Sequence, residues 1–441
     1  MADRPEDGPK RRAGGEKPAA TLVVTNIRAC LTMAGGKPGP LAGERQGETT
    51  VLRDAAIAAA GDKLVYVGPA SGLPAAVRVA PDALRVDAAG GIALPGFVDC
   101  HTHVVFAGWR AGEFAQRVVG ASYQQILEAG GGILRTVAAT RAADEEELVD
   151  ATRARLERML VAGTTTIEAK SGYGLTLADE AKILRVVRRL DGTGPWDLVP
   201  TLLGAHALPA EYRDDRDGYV ELVLEMIETL ADRAAFIDVF CEIGAFTVRE
   251  CRKILERGRR AGLGIKLHAD QLSDCGGALL AAELQAVSAD HLDFVTPEAT
   301  AALAGAGTIA VMLPTVPLYV MARRQAPAAR LQAAGVPLAL ATDFNPGTSP
   351  VESMGVVVAL ACLLMRMSPD AALVAATRNA AWAVGRGDRV GSLEAGKQAD
   401  LQVYGVDDPA ELPYRFGQIA PSVVVKKGRI VAAEGELSAV Q

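Results

Sequence analysis

Short apolar runs alternate with helical periodicity through the middle of the chain, whereas the two ends carry strand-like runs only. Near the amino end these are 21–25, 55–60 and, after a Gly61-Asp62 turn, 64–67 closing at Gly68. The same texture returns at 400–404 and 422–426, with Lys427-Gly428 turning into 429–433. Neither end is long enough to hold a sheet of its own securely. Residues 21–95 and 381–441 are therefore expected to pair into one small β-sandwich.

The middle reads differently. Its apolar runs are 97–103, 164–169, 198–206, 236–242, 264–268, 288–292, 308–314 and 337–343, with helical stretches between them. The clearest helix is expected over 144–162. Acidic residues crowd its first turn, Leu148, Leu156, Met159 and Leu160 share one face, and Gly163 ends it. Eight strands alternating with helices predict the α/β class, a (β/α)8 TIM-type barrel over 96–380. No internal repeat beyond that alternation is visible.

Composition narrows the class. A chain of 441 residues that is 49% hydrophobic buries a large core easily. Lys and Arg number 46 against 53 Asp and Glu, and a formal charge of −7 argues against a nucleic-acid or anionic-membrane partner. The six cysteines lack any C-x-x-C spacing and fit reduced thiols in a cytoplasmic protein. Residues 1–20 mix acidic and basic side chains with no apolar segment behind them, so a disordered tail is expected there, and not a signal peptide. No uninterrupted apolar stretch is long enough to span a bilayer.

Barrel enzymes place their chemistry at the carboxyl ends of the strands, and here those ends are unusually polar. The first run ends His101-Thr102-His103, whose period of two points both imidazoles to one side. The chain holds five histidines in all; the other three, His206, His268 and His291, also sit at run ends. The last run closes on Asp343, a carboxylate behind the apolar residues 338–341. A buried, unpaired Asp is costly, and a cation answers the need. Two facing imidazoles, one more from another strand and a carboxylate suit one Zn²⁺ or Fe²⁺/Fe³⁺ with a position open for water.

These residues resemble the amidohydrolase superfamily, as do 94–99 ahead of the first histidine pair and 391–401 ahead of the last strands. Longer phrases between Leu94 and Gly417 resemble the imidazolonepropionase family within it: HTHVVFAGWR at 101–110, GGGIL from Gly130, GTTTIEAKSGYG at 163–174, LGAHA from Leu203, HADQ from His268, SADHL from Ser288 and ATDFNPG at 341–347. The resemblance implies that His101, His103, His268 and Asp343 hold one metal ion. It also implies a small-molecule substrate, 4-imidazolone-5-propanoate, opened to N-formimino-L-glutamate in histidine degradation.

Physical roles can be argued beside it. Arg110 suits a bidentate grip on the propionate, with Tyr173 and His206 adding donors. Tyr173 lies in Ser171-Gly172-Tyr173-Gly174, expected to be a flexible loop, and Asn345, Gly347 and Thr348 lie just past Asp343, within reach of the ring or forming a plain turn around Pro346. Attack is expected from a water activated at the metal, with Asp343 accepting its proton and His291 polarising the ring carbonyl. Gln271 stands where other members carry Glu. A glutamine cannot be a general base, so it is assigned to hydrogen-bonding the substrate.

Three readings compete. A heterocycle deaminase wants a carboxylic acid near His268, which Gln271 does not supply. A binuclear cyclic amidase wants a bridging carboxylate or modified Lys on the fourth strand, where Glu242 stands, while Lys170 is on the second. A silent scaffold has no reason to keep every ligand together with Arg110. The helical stretch 356–364 reads as core or as the interface of a homodimer.

Overall fold

The computed structural model describes residues 17–121, 125 and 130–438. Most of the tail expected over 1–20 therefore lies outside the described residues. Both ends contribute to one nine-stranded sheet. From the amino end come β1 (Ala19–Leu31), β2 (Val51–Ala60), β3 (Lys63–Pro69), β4 (Arg78–Asp87) and β5 (Ile92–Pro95). After the barrel come β14 (Leu401–Tyr404), β15 (Val423–Lys426), β16 (Arg429–Ala433) and β17 (Glu436–Leu437). The seam between the two halves is the antiparallel pairing of β14 with β5, Leu401 opposite Pro95 through Tyr404 opposite Ile92. Leu22, Val24, Ile57, Leu64, Leu401 and Val425 fill the core of this region.

The barrel strands are β6 (Phe97–Asp99), β7 (Thr164–Lys170), β8 (Asp197–Ala205), β9 (Phe236–Cys241), β10 (Gly264–Ala269), β11 (Ser288–His291), β12 (Ile309–Met312) and β13 (Leu338–Leu340). They pair in chain order and always in parallel. Each falls on one of the expected runs. Most are trimmed at the carboxyl end, where the backbone leaves the ladder carrying polar residues. The barrel closes between its first and last strands: the His103 N–H donates to Phe344 O (2.9 Å) and the Asp343 N–H to His101 O (3.0 Å).

The helix predicted over 144–162 spans Glu145–Val161 behind an Asp144 N-cap. Asp144 Oδ1 accepts the Glu147 N–H while Glu147 Oε2 accepts the Asp144 N–H, a reciprocal cap contributing about 1 kcal/mol. Leu148, Leu156, Met159 and Leu160 are fully buried, each stabilising the barrel wall by roughly 2 kcal/mol. The buried Arg155 of this helix donates to Val104 O and Phe106 O at 2.9 Å each, fixing the chain just beyond the histidine pair. A π-helical turn at Ala375–Asn379 ties the amino-terminal excursion to the barrel, with Asn379 bonded to both Leu41 and Leu338. No helix among the described residues is long and apolar enough to cross a membrane.

Candidate metal centre at the carboxyl end of the barrel

Barrel closure sets His101 and His103 beside Asp343. Asp343 Oδ1 lies 3.4 Å from His101 Nε2 and 3.4 Å from His103 Nε2. From β10, His268 Nε2 comes within 3.3 Å of His103 Nε2. Carboxylates stand behind two of these rings: Asp290 Oδ2 is bonded to His101 Nδ1 at 2.6 Å, and Asp238 Oδ2 lies 3.1 Å from His268 Nδ1, close in distance but off the line of a hydrogen bond. That arrangement leaves His101 Nε2 towards Asp343 and His268 Nε2 towards His103 Nε2.

Several atoms at this point lack partners. His101 Nε2, Asp343 Oδ1 and both ring nitrogens of His291 are buried with no hydrogen-bond partner among the described residues. Burial holds the His101, His103 and His291 imidazoles well below the usual histidine range, hence neutral, and pushes His206 down to about 3. Burial also drives Asp343 well above the usual carboxylate range. Neutral nitrogen donors around a carboxyl that burial keeps from ionising fit a divalent cation, whose charge would offset the cost of the carboxylate. The backbone is strained in the same place: His291 (φ 77°), Leu292 (φ 64°), Asp343 (φ 50°) and Asp270 (φ 48°) are left-handed without being glycine.

The other expected residues ring this centre. The His206 ring stacks on His103 at 4.8 Å between centroids, and Tyr173 stands 5.4 Å from His206 and 5.7 Å from His103. Arg110 is buried, with its Nε unpartnered and its Nη1 3.8 Å from Glu113. Its guanidinium lies over Gly347, where a Cβ would fall 1.7 Å from Nη2 and push the guanidinium aside. His291 stands opposite His268, 5.3 Å between ring centroids. Gln271 is half-buried in a loop whose backbone is tied down by Glu242 through the Leu272 and Ser273 N–H groups. Glu242 also accepts from the Ser273 hydroxyl and the Ile243 N–H, so its oxygens are committed to that loop.

Two expectations change. The 171–174 loop is clamped, because the buried Glu180 carboxylate accepts the N–H groups of Gly172 (2.9 Å), Gly174 (2.8 Å) and Leu175 (2.7 Å). Gly172 adopts φ 104°, and a Cβ there would meet His206 Nδ1 at 2.8 Å. Asn345 faces its own turn. Its Oδ1 accepts from the Gly347 and Thr348 N–H groups, and its Nδ2 donates to Asp343 O and Thr348 Oγ1. It braces the segment bearing Asp343, Gly347 and Thr348.

Sequence reasoning missed the layer beneath. Lys170 and Lys266, both fully buried, sit among Glu168, Asp238 and Asp290. Lys170 Nζ contacts Asp238 at 2.7 Å, Glu168 at 3.1 Å and Asp290 at 3.6 Å, while Lys266 Nζ donates to Glu168 at 2.7 Å and Cys100 O at 2.8 Å. Thr201 and Ser288 hydroxyls satisfy further oxygens of Glu168 and Asp290. A signal existed. Glu168 and Lys170 are two apart on β7, and Lys266 stands two before His268 on β10, all within otherwise apolar strands.

A closed parallel barrel with imidazoles and one aspartate converging at its carboxyl end is built as a metal-dependent hydrolase is built. The amidohydrolase family matches residues 107–432, starting just past His103. An imidazolonepropionase of Symbiobacterium thermophilum is 47% identical over 420 residues, covering 94% of this chain and 98% of that protein. One of Cupriavidus taiwanensis is 46% identical over 387 residues, covering 87% and 92%. Among solved structures, a zinc-bound adenosine deaminase of Xanthomonas campestris superposes with a TM-score of 0.71 at 19% identity, covering 97% of this chain and 96% of that one. A zinc complex of an atrazine chlorohydrolase of Arthrobacter aurescens gives 0.68 at 18% identity, covering 95% and 97%. At those identities the structures speak for the shared fold alone. The chain belongs to the amidohydrolase family and, within it, to the imidazolonepropionases.

Proposed function

We propose that this hydrolase opens the cyclic amide of 4-imidazolone-5-propanoate to N-formimino-L-glutamate, and that His101, His103, His268 and Asp343 hold one Zn²⁺ or Fe²⁺/Fe³⁺ for the purpose. The observation that carries the reading is the approach of His101 Nε2, which has no hydrogen-bond partner among the described residues, and of His103 Nε2 to Asp343 Oδ1, with the buried Arg110 nearby. When bound, the ion supplies Lewis acidity and lowers the pKa of water towards neutrality.

The chain's own groups do the rest. Arg110 Nε and its neighbouring nitrogens take the propionate carboxylate, which replaces the distant Glu113 as their partner. Tyr173 and His206, stacked along the wall beside His103, orient the ring. Asp343 accepts a proton from the attacking water, which adds to the ring carbonyl carbon, and His291 donates to the developing oxyanion. The carbon–nitrogen bond then breaks, and the leaving nitrogen takes up a proton. Gln271, set at the mouth with no acid–base capacity, contributes a hydrogen bond to the substrate. Gly347 and Thr348 would shape the substrate end through their fixed turn, since Asn345 already takes up both of their N–H groups.

The competing deaminase reading lacks its acid at Gln271. The binuclear reading lacks its carboxylate, because Glu242 spends its oxygens on the 271–273 backbone. A cytoplasmic location with neither nucleic-acid nor membrane partner accords with the charge of −7 and with free cysteines throughout. A homodimer accords with Leu363, 64% exposed, and Tyr414, 85% exposed, on neighbouring helices. The deciding experiment follows ring absorbance of fresh 4-imidazolone-5-propanoate with one metal equivalent and with chelator. Metal-dependent loss of absorbance is expected, and Arg110→Ala raises KM more than it lowers kcat. A folded, metal-loaded protein that leaves the ring intact would displace this substrate.

A further inference from the structure

Lys170 has no part in the chemistry above, yet it is fully buried at the end of β7, directly under the imidazoles. A buried ammonium is expensive and persists only where its partners repay it. Those partners are specific. Asp238 on β9 stands 3.1 Å from the Nδ1 of His268 and accepts its backbone N–H, Asp290 on β11 is bonded to the Nδ1 of His101, and Lys170 reaches both, at 2.7 Å and 3.6 Å. One cation thus ties together the two carboxylates that aim two rings contributed by different strands. Lys266 does something else: its shortest contacts are Glu168 and Cys100 O, and Asp290 is 4.0 Å away.

We infer that Lys170 is a positioning residue for the metal centre, locking Asp238 and Asp290 so that His268 and His101 present Nε2 to the ion. The inference rests on the ligand set proposed above. Without the ammonium, Asp238, Asp290 and Glu168 repel one another and swing apart, and the two rings lose their fixed tautomer and angle. The effect is on affinity and coordination geometry, and it does not require Lys170 to touch substrate.

The test measures Zn²⁺ affinity by competition with a chromophoric chelator and the visible spectrum of the Co²⁺-loaded protein, for the parent, Lys170→Met, Lys170→Arg and Asp343→Asn. Lys170→Met is expected to weaken Zn²⁺ binding roughly 10–100-fold and to alter the Co²⁺ bands, with near-ultraviolet circular dichroism unchanged. Lys170→Arg, which keeps the charge, recovers part of the affinity. A folded Lys170→Met protein with parental affinity and parental Co²⁺ spectrum overturns the inference. Should that variant not fold, the charge-balanced pair Lys170→Met with Glu168→Gln, which leaves Asp238 and Asp290 in place, is measured instead. A tenfold or greater loss supports the inference there, and parental affinity again overturns it. Asp343→Asn separates the two readings: if it leaves affinity untouched, the ligand assignment itself has failed.

Discussion

The barrel contains two polar layers that obey opposite rules. At the rim, His101, His291 and Asp343 keep buried atoms without partners, and the backbone around them is strained. One layer down, each charged group meets its complement: Lys170 meets Asp238 and Glu168, Lys266 meets Glu168, and hydroxyls take up the remaining oxygens of Glu168 and Asp290. The rim sacrifices stability to leave donors aimed where a cation would sit. The floor restores order by holding those donors still. Polar groups buried in one fold can therefore serve reaction or rigidity, and the difference lies in whether they are satisfied.

Perturbing each layer should separate the two roles. The largest effect belongs to the rim: Asp343→Asn removes a ligand oxygen and the proton acceptor, so turnover falls about a thousandfold. Because burial already pushes the Asp343 carboxyl up, the same change raises the urea midpoint of the metal-free protein. A lowered midpoint would erase the contrast between the layers. In the floor, Lys266→Met strands Glu168 beside a single ammonium and costs about 3–5 kcal/mol of unfolding free energy, read at fixed metal concentration.

Between the layers stands the Glu180 clamp. Glu180→Gln turns one acceptor oxygen into a donor facing backbone N–H groups, at a cost of about 1–3 kcal/mol. The loop bearing Tyr173 loosens, and KM is expected to rise more than kcat falls. Equal changes in both would mean that the clamp acts on the reacting centre itself.

The smallest effect lies farthest from the site, where Asp197 at the start of β8 meets Lys426 (2.8 Å) and Lys427 (2.6 Å) of the terminal sheet. Burial works to raise the Asp197 carboxyl, but the two lysines and Gln398 outweigh it and hold it below the usual carboxylate range. A carboxyl depressed in the folded state contributes stability above its unfolded pKa of about 3.9 and loses that contribution as pH falls towards the folded value. Asp197→Asn should therefore cost about 1 kcal/mol at pH 6 and progressively less on acidification, as urea midpoints at the two ends of that range would show. A pH-independent cost would point to lost packing.

The fold was legible because hydrophobic periodicity reports burial directly: each barrel strand sits on an apolar run, and the Asp144 cap lies where the acidic turn begins. The site was legible in part because strand ends carry chemistry in a barrel, so five scattered histidines became one cluster. Lys266 and Glu168 were passed over, and Lys170 was weighed only as a bridging lysine, because the partners of a charge inside a strand are known only once neighbouring strands supply the counter-charge. Asn345, open to the ring or to a turn by type alone, is decided for a related reason. A side chain's type says what it can bond, and only its surroundings say whether it is already bonded.

The sequence by itself determined the alternation of strands and helices, the pairing of the two chain ends and the kinds of ligand available at the rim. Tertiary structure decided which of those ligands meet. His103 and Asp343 are 240 residues apart and become neighbours only when the Asp343 N–H bonds His101 O and the barrel shuts. It also decided which polar groups stay free, because satisfying a buried charge depends on atoms from strands remote in the chain, a quantity that local pattern does not carry.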